Sequence, residues 1–260
     1  MLLALDIGNT SITIGIFNGE SIDSIKRIPS NIHYSTDTYK DLLIDTLGSI
    51  NIEGCIIASV VNGLDKTLYD AVLSAFGIEA VILSPNLDIG IKLKLKDNNE
   101  IGADRIANGI AAAQLYKLPV IVVDFGTANT FDIVNSKGEF IGGVIAPGIN
   151  TQLTSLSKCT SKLPKLDATV SEKAIGDNTL DAILSGVIRG TACMVEGLLS
   201  ECEKEMGTKA TIVATGGNCE LISQYMNRKF DYVNPTLTLQ GLKELYKLNV
   251  NHAHLQHQVL

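Results

Sequence analysis

Val120-Ile-Val-Val-Asp124-Phe-Gly126-Thr-Ala-Asn-Thr130 decides how the rest of the chain is read. It is a buried strand that ends on a carboxylate and breaks into a Gly turn rich in small hydroxyls. The first ten residues repeat the device: Leu2-Leu-Ala-Leu-Asp6-Ile-Gly8-Asn9-Thr10 is an apolar run, then Asp-x-Gly, then a hydroxyl. Each copy continues into a second apolar run, Ile12 to Phe17 and Thr130 to Val134. Each then reaches a Gly-containing turn, Asn18-Gly19 and Ser136-Lys137-Gly138. Strand, Gly turn and strand make a hairpin. Aligning Asp6 with Asp124 also aligns Gly8 with Gly126. One Asp-Gly turn after a strand is ordinary; two in register point to a duplicated device.

Two such hairpins facing each other would present two carboxylates and two sets of backbone N–H groups to one cleft. Glycine matters because a Cβ would block close approach of the backbone to a ligand. Successive N–H groups in such a turn bind anionic oxygens, and an Asp beside them can hold a divalent ion that itself holds phosphate. The expectation is a nucleotide-phosphate site built without a Walker loop, since no Gly-x-x-x-x-Gly-Lys-Ser/Thr occurs in the chain.

Composition narrows the field. With 260 residues, 45% of them hydrophobic and 19% charged, the chain can bury a real core, in one large domain or two ordinary ones. Trp is absent, the net charge is −7, and no basic cluster exceeds the Lys92, Lys94, Lys96 alternation. General nucleic-acid binding is therefore not expected. Five cysteines without a Cys-x-x-Cys read as reduced, mostly buried thiols of a cytoplasmic protein. Asp6 interrupts the N-terminal apolar run at once, so no secretory signal is expected. No apolar run is long enough to suggest a bilayer span.

Along the chain, Ser35-Thr36-Asp37 is an N-cap cluster opening a helix that carries Tyr39, Leu43 and Leu47, and Leu64 to Phe76 forms a second amphipathic helix. Short apolar runs at Cys55–Val61 and Ala80–Leu83 read as parallel strands of an α/β layer. Ile89 to Lys96 alternates as a strand with one wet face. A helix runs through Ile106, Ile110, Ala113 and Tyr116 and stops before Pro119. In the second half, Phe140 to Gly148 is a third strand, followed by a helix from Ile149 and an exposed loop over Ser157–Ser171. Asn178-Thr179 caps a long helix with Ile183, Val187 and Met194 on its apolar face. That face carries more apolar surface than a lone exposed helix would, which predicts packing against a second copy. Thr211 to Ala214 is a strand, a helix follows from Glu220, Phe230 to Val233 is a last strand, and Leu239 to Leu248 is a final helix. His252, His254 and His257 sit in a tail with no acidic or thiol partner and read as solvated. The halves share one plan, with the break at Leu118-Pro119: 1–118 and 119–260 as two α/β domains with a cleft between them.

Gly102-Ala103-Asp104-Arg105 stands at a loop-to-helix junction. Taken alone, Asp104 is a helix cap and Arg105 a solvated cation. In order along the chain, Asp6-Ile-Gly-Asn-Thr10, Gly102-Ala-Asp-Arg105, Asp124-Phe-Gly-Thr-Ala-Asn-Thr130, Gly142-Gly-x-x-x-Pro-Gly148 and Thr215-Gly-Gly217 form a set. That set resembles the type III pantothenate kinases of the actin, sugar-kinase and heat-shock ATPase superfamily, over Asp6 to about Gly217.

The resemblance implies two ribonuclease-H-like domains, a homodimer, and ATP-dependent phosphorylation of the primary hydroxyl of pantothenate, the first step towards coenzyme A. It implies that Asp6, Ile7, Gly8, Asn9, Thr10, Ser11, Ile12 and Thr13 hold the ATP phosphates, with Asp6 near Mg²⁺. Gly102, Ala103, Asp104 and Arg105 would line the pantothenate site, Asp104 as general base and Arg105 as an anion contact. Asp124 would hold a monovalent cation, K⁺ or NH₄⁺, and Thr127 would touch ATP. Thr179 would reach the pantothenate of the neighbouring subunit, and Gly216 and Gly217 would lie near the adenosine. The family pattern is departed from at Leu95, commonly a Tyr that contacts substrate. It is also departed from at Asp97-Asn98-Asn99, where a Pro is usual, and at Asn62, again for Pro. Two other readings of the same residues are a non-catalytic accessory factor in transcription and a phosphohydrolase of the superfamily.

Overall fold

A computed structural model describes residues 1–84, 87–159 and 163–256, with backbone alone for 99 and 251–256. The chain divides into two compact units. One is Met1–Gln114 together with the segment from Thr236 on; the other is Leu115–Pro235.

In the first unit, β1 (Leu2–Ile7), β2 (Ser11–Asn18) and β3 (Ser21–Pro29) form an antiparallel meander, and β4 (Gly54–Ser59) and β5 (Val81–Ile82) extend it in parallel. The order is β3-β2-β1-β4-β5. Alternation puts Leu3, Leu5, Ile7, Ile12, Ile14 and Ile16 on one face. There they pack on α1 (Thr36–Leu47) and α2 (Leu64–Phe76) through Tyr39, Leu43, Leu68 and Val72. Ser35 caps α1 by accepting the Thr38 N–H, as its sequence predicts. On the other face Ala4, Phe17, Ile56 and Ala58 meet α3 (Ala103–Leu115) and α8 (Leu237–Gln256). The segment expected to be a strand over Ile89–Lys96 is regular only at β6 (Lys92–Leu93), and a 3₁₀ turn, Asn98–Glu100, leads into α3.

The second unit repeats the plan. β7 (Val120–Phe125), β8 (Ala128–Val134) and β9 (Glu139–Pro147) form the meander, and β10 (Thr211–Thr215) and β11 (Tyr232–Val233) extend it in parallel. These strands run β9-β8-β7-β10-β11. Ile121, Val123 and Phe125 take the places of Leu3, Leu5 and Ile7. They pack on α4 (Ile149–Cys159), α6 (Gly190–Met206) and α7 (Cys219–Ser223). α5 (Thr179–Leu184) joins α6 through a π-helical stretch, Ser185–Arg189, so the helix is continuous from Thr179 to Met206.

Three expectations change. The last helix was assigned to the second half, but α8 packs within the first unit. A Cβ on Gly241 would lie 2.0 Å from the Ala107 carbonyl oxygen, so only glycine allows the α3–α8 crossing. Val187 is buried, and Ile183 and Met194 pack on the second unit's own core, so that apolar face is already covered and gives no ground for a second copy. Ser157 to Ser171 is not one exposed loop either. α4 runs on to Cys159, residues 160–162 lie outside the described residues, and Ser171 is buried. Among the cysteines, Cys55 and Cys219 are buried, Cys202 is half-buried, and Cys159 and Cys193 are exposed. Burial pushes the Cys55 thiol far up. The helix Thr179–Met206 is long and apolar enough to cross a bilayer, but half of its most apolar window is buried inside its own unit. Of the tail histidines, His257 lies outside the described residues.

Candidate active site

In the first unit the site residues gather where β1 and β4 end side by side. Asp6 pairs with Thr13 of β2 and, in parallel, with Ala58 of β4. The Val60 N–H donates to the Ile7 carbonyl at 3.1 Å and so joins the two strand ends. The turn between β1 and β2 is three residues, Gly8-Asn9-Thr10, closed by the Gly8 N–H on the Ser11 carbonyl at 3.1 Å. Asn9 and Thr10 are exposed, while Asp6 and Thr13 are half-buried.

Gly102 lies beside the same strand end. A Cβ there would sit 3.8 Å from Val60 Cγ1 and only 2.6 Å from Asp104 Oδ1. Glycine at 102 therefore makes room for the Asp104 carboxylate. The Gly102 carbonyl accepts the Ile106 N–H at 3.2 Å, so the helix begins ahead of Asp104, which occupies its second position. Asp104 Oδ1 accepts the Arg105 N–H at 2.8 Å. Burial raises the Asp104 pKa above the ordinary aspartate range, against the lowering pull of that N–H and of the Arg105 charge. Asp104 thus takes one first-turn N–H, as a cap would, and also stands as a partly desolvated carboxylate. Leu95 is half-buried in the segment before the 3₁₀ turn.

In the second unit the turn between β7 and β8 is two residues, Gly126-Thr127, both exposed. One of its carbonyls is tied from below. The Thr127 carbonyl accepts the Gly148 N–H at 3.0 Å and the Thr151 hydroxyl at 2.6 Å. A Cβ on Gly148 would come 2.2 Å from the Gly126 oxygen, so the Pro147-Gly148 turn can close on the hairpin only with glycine there. Asp124 pairs with Thr130 on one side and Thr215 on the other. Gly216 follows with φ +88°, and a Cβ there would lie 2.5 Å from Asp124 Oδ1 and 2.6 Å from the Phe125 nitrogen. Both its backbone angle and its close approach require glycine. Gly217, by contrast, faces open space. Thr179 opens α5 as an exposed residue behind the Asn178 cap, whose Oδ1 accepts the Asp181 N–H at 3.0 Å.

The structure thus gathers Asp6 to Thr13 with Gly102 to Arg105 in one unit, and Asp124, Thr127 and Gly216 in the other. Thr179 is the first residue of a separate element, α5. Gly148 and Thr151 were missed as site-forming residues. Gly148 closed a quoted motif, but a strand-ending Pro-Gly gives no hint that it props another turn. No group of three or more metal-ligating side chains occurs among the described residues. Mg²⁺ bound through one carboxylate, with phosphate oxygens and water completing its shell, does not need one. The half-buried Asp6 oxygens at the end of β1, beside the Gly8 turn, fit that donor set.

The duplicated hairpin-led sheet defines a class, the actin-like ATPase fold. Among solved structures, a Baf family transcriptional activator from Campylobacter jejuni superposes with a TM-score of 0.63 at 21% identity, covering 96% of this chain and 99% of that one. MreB5 of Spiroplasma citri does so at 0.56 and 11% identity, covering 99% and 98%. At such identities the likeness shows the fold alone. The profile of the type III pantothenate kinase family matches residues 2–201. Type III pantothenate kinases of Dehalococcoides mccartyi and Moorella thermoacetica are 42% and 39% identical to this chain, over 95% and 96% of it and 96% and 100% of those proteins. The chain belongs to the type III pantothenate kinase family. It is a kinase, and its reaction is the ATP-dependent phosphorylation of pantothenate in coenzyme A biosynthesis.

Proposed function

We propose that Asp104 is the base of this reaction. As the primary hydroxyl of pantothenate attacks the γ-phosphorus of ATP, its O–H bond breaks and the proton passes to the Asp104 carboxylate. The new O–P bond forms as the bond to the β,γ-bridging oxygen breaks, and ADP leaves. An alcohol is a poor nucleophile until it sheds its proton, so a carboxylate within reach is useful. The observation that carries this reading is a carboxylate with a raised pKa, in a space kept clear by Gly102, beside the strand ends that bear the Asp6 turn. A raised pKa makes the carboxylate a better proton acceptor.

The remaining groups divide into positioning and neutralisation, which is most of what phosphoryl transfer asks of a protein. The amides of Gly8 to Thr13 hold ATP phosphates, and Asp6 binds Mg²⁺, which supplies charge neutralisation of the phosphates. Asp124 holds the monovalent cation, Thr127 contacts ATP, and Gly216 and Gly217 border the adenosine. Gly102, Ala103 and Leu95 wall the pantothenate, with Arg105 as its anion contact and Leu95 giving an apolar surface without a hydroxyl. The enzyme works in the cytoplasm, with no nucleic acid or membrane partner.

We also propose a homodimer in which Thr179 reaches the acceptor bound by the other subunit. The outer face of the long helix supports it: Ala182, Gly186, Gly190, Cys193 and Gly197 are exposed, and nothing lies within 4 Å of a Cβ built on any of the three glycines. Small residues along one face allow close approach of a second helix. Sedimentation at micromolar concentration should give a dimer, and a monomer there ends this part of the reading.

Asp104→Asn tests the base. The change keeps size and hydrogen bonding, so kcat should fall by roughly 10²–10⁴-fold while ATP affinity holds. The wild-type kcat should fall as pH drops through the Asp104 pKa, at a pH above the ordinary aspartate range. That limb should vanish in the variant. A folded Asp104→Asn enzyme with near-full kcat would return this residue to helix capping, for which Asn is as good.

A further inference from the structure

The segment leading into Thr179 is held by several polar side chains, foremost one that the reaction does not otherwise use. From Glu172 to Asn178 no residue is buried, and Ile175 is 88% exposed, so burial does not fix this backbone. Polar fastenings do. Arg189, the last residue of the π-helical stretch, donates from Nη2 to the Ser171 carbonyl at 2.9 Å and the Glu172 carbonyl at 3.2 Å, and from Nε to Ser171 Oγ at 3.2 Å. Its guanidinium lies 4.9 Å from the centre of the Tyr225 ring, whose hydroxyl accepts the Ser171 N–H at 2.7 Å. Further on, the Ser185 hydroxyl donates to the Ala174 carbonyl at 2.6 Å. Gly176 sits so close to the first turn of α5 that a Cβ would meet the Ala182 nitrogen at 2.2 Å. The segment is thus wound back onto the helix it feeds.

We infer that Arg189 is a positioning residue for the acceptor substrate: it fastens residues 171 and 172, the start of the segment that leads into Thr179, and so helps present Thr179 in one fixed place. The inference rests on the reading above that Thr179 meets pantothenate. The π stretch fits this use. A wide turn departs from regular helical geometry and is retained mostly at functional sites. A planar guanidinium can serve two carbonyls and a hydroxyl at once, which an ammonium cannot.

The test is steady-state kinetics on the full-length protein with Arg189→Gln, Thr179→Val and the double variant, each checked for folding by circular dichroism. Arg189→Gln should raise the KM for pantothenate roughly tenfold, from the loss of charge-assisted bonds, and leave kcat and the KM for ATP within about twofold. Once Thr179 is gone its placement no longer matters, so the double variant should match Thr179→Val within about twofold. Arg189→Lys should fall between wild type and Arg189→Gln. Ser185→Ala, a milder loosening of the same segment, should shift the pantothenate KM in the same direction and serves if Arg189→Gln does not fold. An unchanged pantothenate KM in Arg189→Gln or, where that does not fold, in Ser185→Ala overturns the inference. So do effects of Arg189→Gln and Thr179→Val that simply multiply. A normal pantothenate KM in Thr179→Val instead removes the assignment of Thr179 itself, and the inference with it.

Discussion

The two hairpins share a backbone plan and differ in how their turns are held. In both, Asp is the last-but-one residue of the strand, the Gly two residues later closes the turn, and the third strand finishes on Pro, Pro29 against Ser11 and Pro147 against Ala128. The first turn is one residue longer, and its Thr10 carbonyl accepts a long bond from the Ser30 N–H, at 3.5 Å. The second turn is short and doubly tied at the Thr127 carbonyl. Asn129, in the place that Ile12 holds in the first hairpin, adds a further tie by donating to the Pro147 carbonyl at 3.2 Å. Duplication thus preserved the strands, where burial dictates the sequence, and released the turns. A longer, looser turn can wrap phosphates whose position changes during transfer, whereas a tied one suits a ligand that stays put.

The glycines give the sharpest contrast. Gly216→Ala forces a left-handed backbone angle on a residue with a Cβ and drives that atom into Asp124 and the Phe125 backbone. The KM for ATP should rise roughly hundredfold or more, from strain and overpacking together. Gly8→Ala meets only the Ser11 carbonyl at 3.2 Å, which a few tenths of an ångström relieve. Its KM for ATP should change by about threefold at most. Equal effects of the two changes would break the contrast between a glycine closely enclosed by its neighbours and one with room beside it.

Stability sharpens the comparison at a smaller scale. In the second unit Glu203, 4% exposed, binds Arg228 through two bonds of 2.7 and 2.8 Å, Lys209 at 2.7 Å and the Ala210 N–H at 3.0 Å. Arg228 foremost holds the Glu203 pKa down to about 2. In the first unit Glu20 ties Lys243 and Lys247 of α8 to the β2–β3 turn from an exposed position, and its pKa is likewise lowered to about 2, Lys243 foremost. A depressed carboxylate adds stability that is present above its unfolded pKa and is lost as pH falls towards the folded value, here between about 4.5 and 2. Glu203→Gln should lower stability by about 2–3 kcal/mol at neutral pH, less than for a fully buried pair because Arg228 is one-third exposed. The variant should also be less sensitive to acid. Glu20→Gln should lower the melting temperature less than Glu203→Gln, because Glu20 is exposed and the buried Lys243 keeps Glu244 and the residue-20 carbonyl as partners.

Much of this was legible in the sequence, for identifiable reasons. Leu2 to Ile7 and Val120 to Phe125 are central strands, so their composition announces them. β3 was not seen, because Ser21–Pro29 is an edge strand with only Ile28 buried and its composition resembles a loop. The α3–α8 crossing pairs Ala107 with Gly241, far apart in the chain, and a glycine inside a helix gives no sign of its partner. Asp104 was found by its motif rather than by its chemistry. Its raised pKa comes from tertiary burial, to which the four residues Gly102 to Arg105 are blind. Arg189 was invisible for the same reason, since its partners lie 17 and 18 residues back in an irregular segment.

In the family's reaction phosphate leaves ATP for an alcohol. The direct measurement is the initial rate of ADP formation by the wild-type enzyme with Mg²⁺ and K⁺ or NH₄⁺, with and without pantothenate. ADP should appear only with pantothenate and in equal amount to phosphopantothenate, and removal of either cation should slow it. ADP formation at the same rate without pantothenate, with free phosphate accumulating, would contradict the account and assign the site to a hydrolase.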